Sequence, residues 1–288
     1  MRRLVLVGAS LIVMACAPHS PPSPPAPVIP PPAPPGAPPP APPQGLRLGP
    51  SALRYAMHQV IHIEQEFQGM RQPLDFGLRI YFAVTITGPA DSSGYPTTVT
   101  IDSIAPDSGT TAPMGINLGA ARGLSFVGRL APTGDFRNQV ASDSVAAQSL
   151  SPIVGSFKNF FPRLPASGLT LGATWTDTTT TSDRAAGNVT VTNISRSHAA
   201  AWEDRGGTRV MRLEVTSTFT IKGSGEQAGQ PFEVAGTGVR SGADYIAVDG
   251  RYMGGESRDS TTMTITLPIQ AMTIPRTQVS RTTVTVLP

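Results

Sequence analysis

The chain has 288 residues, a formal net charge of +3, 14% charged residues and one cysteine, Cys16. A single cysteine excludes an internal disulfide and a cysteine pair at a metal site. Without Arg2 and Arg3 the charge is +1, and no basic cluster with interleaved aromatics occurs, so composition argues against nucleic acid as a partner.

The N-terminus reads MRRLVLVGASLIVMAC, two arginines followed by an apolar run from Leu4 to Ala15. That is the layout of a secretory signal, whose apolar segment spans about 7–15 residues. A membrane-spanning helix needs about 20 apolar residues, so the run is too short to be one. Val13, Ala15 and Cys16 stand as an aliphatic residue, a small residue and a cysteine, and here the sequence resembles a bacterial lipoprotein signal. The resemblance implies cleavage between Ala15 and Cys16, diacylglycerol on the Cys16 thiol and acylation of the new amino group, palmitate being one such chain. Two or three acyl chains, at about 0.8 kcal/mol per buried methylene, make a stable membrane anchor. Ala17 after the cysteine, where an aspartate would mark retention, implies the outer membrane of the bacterial cell envelope.

Residues 18–44 hold 16 prolines in 27 positions. Proline lacks the amide donor and fixes φ, so this run forms neither helix nor central strand and has little to bury. It reads as a disordered, semi-rigid polyproline spacer, reaching roughly 80 Å at about 3.1 Å per residue. The organisation expected is a signal peptide over 1–15, a lipid-anchored proline-rich linker over 16–44 and one domain over 45–288.

Within that domain, two-residue alternation dominates. In DFGLRIYFAVTIT, Phe76, Leu78, Ile80, Phe82, Val84 and Ile86 share one face, with Arg79, Tyr81, Thr85 and Thr87 opposite. YAMHQVIHIEQEF, MRLEVTSTFTI, TTMTITLPI and TTVTVL alternate in the same way, and further strands are expected near 97–104, 124–130, 171–181, 188–195, 231–239 and 244–249. Asp249-Gly250 and the glycines around 223–229 supply turns. Many short strands without intervening helices predict a mainly β fold: an antiparallel curved sheet or unclosed β-barrel, with a closed barrel or a sandwich as the alternatives.

One stretch departs from the alternation. Leu150, Ile153, Val154, Phe157, Phe160 and Phe161 recur at helical spacing, Ser151-Pro152 is a helix start and Pro162 a stop, so one packed amphipathic helix is expected at about 151–161. LPASGLTLGATW after it, and VDGRY at 248–252, resemble short stretches of secreted bacterial lipoproteins. Strands curled around a helix are similar to the unclosed half-barrel of the lipoprotein carriers, and that resemblance implies a groove without naming its residues.

Motifs that carry chemistry are few in this sequence. His58 and His62 are four apart, with Glu64 and Glu66 following. On a helix the pair would suit zinc, but alternation places it on the polar face of a strand, about 13 Å apart, so no metal site is expected. His19 and His198 read as incidental. No GxSxG elbow occurs in the mature chain, no serine stands three before Lys158 or Lys222, and no thiol follows position 16. Asp244, Asp249, Glu256 and Asp259 read as solvated acids near turns, and no cofactor or catalytic residue is assigned.

The expectation is a non-enzymatic binding or interaction domain held at the membrane through Cys16. A hydrophobic ligand beside Phe82, Phe157, Phe160 and Phe161, or an envelope protein, are the candidate partners. The same aromatics could instead form a solid core. A cell-wall or glycan hydrolase with paired carboxylates, and a purely structural envelope protein, are the alternatives.

Overall fold

The computed structural model describes residues 45–108, 117–150, 153, 157, 159–183, 188–227 and 229–288. The signal, Ala15, Cys16 and the proline tether lie outside the described residues, as do Ser151, Pro152 and positions 154–156 and 158 of the expected helix.

Eleven strands follow one another: β1 (Ser51–Phe67), β2 (Met70–Ile86), β3 (Tyr95–Pro106), β4 (Ser125–Leu130), β5 (Phe136–Ala141), β6 (Thr174–Asp183), β7 (Val189–Arg205), β8 (Thr208–Gln227), β9 (Gln230–Ala247), β10 (Tyr252–Leu267) and β11 (Met272–Leu287). They form one antiparallel sheet in the order β5-β4-β3-β2-β1-β11-β10-β9-β8-β7-β6. The first and last strands pair in its middle, from Arg54 opposite Leu287 to Gln65 opposite Arg276. The other neighbours are sequential hairpins, and the edges β5 and β6 do not pair, so the sheet stays unclosed.

The strand expectations hold with three differences. β5, FRNQVA, was not anticipated, because it is short and carries a single aromatic. Gly223 and Gly225 lie inside β8 rather than in a turn, which comes only after Gln227. The expected strands 231–239 and 244–249 are one continuous strand, β9, running through Gly242. Cross-strand hydrogen bonds come from backbone atoms, so a glycine or polar interior weakens a strand without ending it.

The chain leaves one edge at β5 and re-enters the sheet at the other edge, β6. The α-helix described in that connection, α1 (Ser144–Ser149), precedes the stretch expected to be helical; the Asp143 carboxylate caps it, accepting from the amides of Val145 and Ala146 at 2.9 Å. Further along, Leu150, Ile153, Phe157, Phe160, Phe161, Leu164 and Leu169 are all buried. Phe157 meets Phe82 edge-to-face at 4.8 Å between centroids, and Phe160 meets Tyr55 and Tyr252 at 5.1 Å each. Burying each ring contributes about 1.5–3 kcal/mol, with aromatic pair geometry adding about 0.5–1.5. Apolar side chains thus pin the connection into the inner side of the sheet.

A second apolar cluster, built on Val191, Phe219, Ile221, Val234 and Met263, occupies the other end of the inner face. Between the two clusters the inner face is polar.

Candidate functional site

Strand alternation and register build that polar zone. Successive pairings line up Asp177 (β6), Ser195 (β7), Ser217 (β8), Arg240 (β9), Asp259 (β10) and Ser280 (β11) as one row across six strands. A neighbouring row runs Trp175, Ser197, Val215, Gly242, Ser257, Thr282 and on to Gln59 of β1. The row on the other side holds Thr179, Asn193, Phe219, Gly238, Thr261 and Gln278. All of these side chains share one face, because residues two apart on a strand point the same way.

Most of these residues line a half-open cavity of about 170 Å³, touched by Asn193 of β7 and by Gln59 of β1. Five strand spacings separate β7 from β1, about 24 Å in a flat sheet. One small cavity reaches both only because the sheet curls around it. Phe160, Phe161 and Pro162 of the β5–β6 connection close one end.

Glycines keep the space open. From Val234 to Asp244 the inward positions of β9 are Gly236, Gly238, Arg240 and Gly242. A Cβ at Gly238 would overlap the Phe219 ring, and one at Gly242 would overlap the Glu256 carbonyl. Glycine is the residue that allows such close approach. Arg240 is therefore the lone long side chain that β9 sends into this region. Its Nη2 donates to Ser257 Oγ at 2.9 Å, and its Nε lies 3.4 Å from Asp259 Oδ1. Ser280 Oγ donates to the other carboxylate oxygen of Asp259 at 3.0 Å.

Asp244 also lines the cavity, while Asp177 ends the first row on β6 without lining it. Tyr252 Oη donates to Asp244 Oδ1 at 2.8 Å, and Tyr55 Oη donates to the Tyr252 carbonyl at 2.7 Å. Loss of water around Asp244 holds its carboxyl above the usual range despite the Tyr252 hydrogen bond. Burial likewise pushes the Asp177 carboxyl up to about 6, opposed by the charge of Arg163. Deeper along β11, Arg276 is buried beside Met263 and donates to Gln278 Oε1 at 3.1 Å. Burial alone lowers its pKa to about 10, and among the described residues no carboxylate pairs with it.

Three polar atoms of the cavity wall lack ordinary partners. The Trp175 indole Nε1 donates to nothing and Gln59 Oε1 accepts from nothing among the described residues, and Asp259 Oδ1 has only the long contact from Arg240. All three atoms are closed off from a water-sized guest, so they are a local cost of the polar packing behind the cavity surface.

The reading of the four acids as solvated turn residues is corrected for two of them. Asp249 is in the β9–β10 turn, where Arg251 pairs with it at 2.7 Å, and Glu256 is exposed on β10. Asp244 and Asp259 instead face the cavity from strand interiors. In GESRDSTTM polar residues occupy both alternation phases, so the sequence carries no inside–outside signal there. Asp244 stands opposite Gly255 and Asp259 opposite Arg240, four residues further along each strand, about 13 Å in backbone position. Carboxyl pairs of glycoside hydrolases lie about 5–10 Å apart.

Of the aromatic candidates, Phe160 and Phe161 border the cavity, while Phe82 and Phe157 pack against each other behind them. Phe76 joins Ile61 and Ile63 in a separate small cluster. On the outer face, β1 presents His58 and His62 as a strand should. His58 Nε2 lies 2.6 Å from Asp107, which also accepts from Arg79 Nε at 2.8 Å; His62 Nδ1 lies 2.6 Å from Asp75 and its Nε2 3.6 Å from Glu64. Hydrogen bonding to Asp75 raises the His62 pKa. Among the described residues no group of three or more His, Cys, Asp and Glu has the geometry to hold a metal ion.

Compared with models of known protein families, the chain matches none, and no curated protein matches it.

Proposed function

We propose that this chain is a lipid-anchored protein of the bacterial envelope whose half-open sheet is a non-enzymatic receptacle for a small ligand. The cavity of about 170 Å³ inside the curled sheet, with its mixed polar and apolar wall, is the observation that carries the reading. It is smaller than the roughly 300–1,000 Å³ of drug-sized ligand sites, which suits a small guest. The anchor rests on the resemblance of residues 1–16 to a lipoprotein signal. Acyl chains on Cys16 hold the chain at the outer membrane, and the proline tether carries the domain clear of the lipid surface. The space beside Phe82 and Phe157 is filled by their own rings, which favours a hydrogen-bonding ligand over an acyl chain. Among the described residues no arrangement of acids, histidines or nucleophiles points to catalysis.

Thiol accessibility tests the receptacle. With Cys16→Ser in the full chain no native thiol remains, so Ser217→Cys places a single thiol on the cavity floor. Thr218→Cys, its exposed neighbour on the outer face, is the control. A small charged methanethiosulfonate is expected to label both in the folded protein, the inner thiol no more than about tenfold slower. An inner thiol that reacts only after unfolding would sink the reading.

A further inference from the structure

We infer that β6 is the surface on which two copies of this chain meet, edge to edge and antiparallel, in a two-fold dimer. The inference goes beyond the receptacle reading and does not depend on it. β6 pairs with β7 from Thr174 to Asp183 without a register shift, and no strand runs along its other side. Among the described residues no backbone–backbone hydrogen bond reaches β6 from outside that pairing. One flank, about 33 Å long at 3.3 Å per residue, therefore meets no strand. Such a flank is a template for a further one.

The two edges of the sheet are not alike. β5 is six residues long, its pairing with β4 shifts between Val127 and Arg129, and Asn138 within it has φ +53°. Short length and a bulge keep an edge from recruiting another chain. β6 has neither, and it carries no lysine or proline; six of the nine residues from Thr174 to Ser182 are threonine, which favours strands. A blunted β5 also disfavours β5-to-β6 contacts, which would be head-to-tail and could run on into filaments. The contact left is β6 to β6, which closes as a dimer.

The sequence of β6 suits itself as partner. In a continuous sheet of two copies the inner faces stay on one side, so residues of like parity stand opposite each other. A centre on Asp177 would oppose two carboxylates. A centre on Thr178 sets Thr178 opposite its own copy, Thr176 opposite Thr180 and Thr174 opposite Ser182, all exposed on the outer face. Cross-strand hydroxyl pairs of this kind stabilise a sheet. Asp177, the one charged residue from Thr174 to Ser182, then stands opposite Thr179. The proline tether is a poor occupant, because 16 of its 27 residues lack the amide donor that a strand partner needs.

Sedimentation of the Cys16→Ser full chain from about 1 to 100 µM tests the dimer, whose dissociation constant is expected on the order of 10–100 µM for a polar edge contact. Thr178 is exposed, so Thr178→Arg and Thr178→Glu should leave the circular dichroism unchanged. Each alone should weaken the dimer about threefold or more, because like charges meet on the axis, and an equimolar mixture should regain the parent's affinity. Thr218→Arg, exposed on β8 two strands away, is the control and should change nothing. Thr176→Arg mixed with Thr180→Glu tests the same register and serves if a Thr178 variant does not fold.

A chain that stays monomeric throughout that range overturns the inference and leaves the β6 edge to a strand of another protein. A dimer that Thr178→Arg does not weaken, or that Thr218→Arg weakens equally, overturns its placement on β6. A mixture no tighter than either variant alone overturns the pairing of Thr178 with its copy. The cavity is tested separately, by Ser217→Cys labelling.

Discussion

Arg240 and Asp259 stand directly opposite each other on β9 and β10, with Nε 3.4 Å from Oδ1, where their strands line the cavity. Their side chains are 32% and 20% exposed, between a surface pair and a buried one. Asp259→Ala is expected to cost about 1–2 kcal/mol in urea unfolding, because it removes the carboxylate directly opposite the Arg240 guanidinium. A double-mutant cycle with Arg240→Ala should return a coupling of about 1 kcal/mol. Strict additivity of the two single costs would show that the pair is not coupled.

Arg276 is the opposite case, a buried cation for which no carboxylate is found among the described residues. Its stem lies beside Met263, so Arg276→Met replaces charge with matching apolar volume. We expect the melting temperature to rise, equivalent to about 1–2 kcal/mol, since desolvation of the guanidinium is no longer imposed. A fall in stability would mean that the hydrogen bond to Gln278 outweighs that desolvation.

The β5–β6 connection is held by its aromatic rings. Phe157 is 1% exposed and packs on Phe82, so Phe157→Ala removes a ring from the centre of the larger cluster. A loss of about 3–5 kcal/mol is expected by chemical denaturation, with Phe157→Leu recovering more than half. A cost under 1 kcal/mol would show that the connection does not depend on this ring.

Asp177 gives a pH signature. Its carboxyl titrates near 6 in the folded chain, against 3.8 as the ordinary value. Between about pH 4 and pH 6 the folded state therefore binds more protons than the unfolded state, and stability falls as pH rises through that window. The group is only half-buried, so the loss is discounted for solvent screening to about 1–2 kcal/mol, complete above pH 7. Asp177→Asn should be more stable than the parent by that amount at pH 8 and equal to it at pH 4. Urea titrations at both values decide it; an equal difference at the two would refute the assignment.

For the proposed anchor, Cys16→Ser is expected to move the protein from the membrane pellet to the soluble fraction, because it removes the thiol that the proposal makes the site of lipid attachment. The tether and domain remain intact, so folding by circular dichroism should not change. Undiminished membrane partitioning would overturn the lipid attachment at Cys16.

The sequence by itself determined which segments are strands and which face of most of them is apolar. The alternation from Phe76 to Ile86 is β2, and Val284 and Val286 mark the end of β11, because burying one face of a pleated strand demands a period of two. It also determined that Leu150, Ile153, Phe157, Phe160 and Phe161 belong inside, since these apolar residues recur on one face of that segment. It was silent on β5 and on the continuity of β9, where backbone pairing does not depend on apolar side chains.

Only the tertiary structure decided where the acids go. Asp259 looked like a turn residue because polar neighbours fill both phases of its strand, and Asp244 because Ser241-Gly242 just before it reads as a break between strands. Register and curl together set Trp175 and Gln59, 116 positions apart in sequence, on facing walls of one cavity. Register is a property of paired strands and curl of the whole sheet, so neither is written in the local pattern of any single strand.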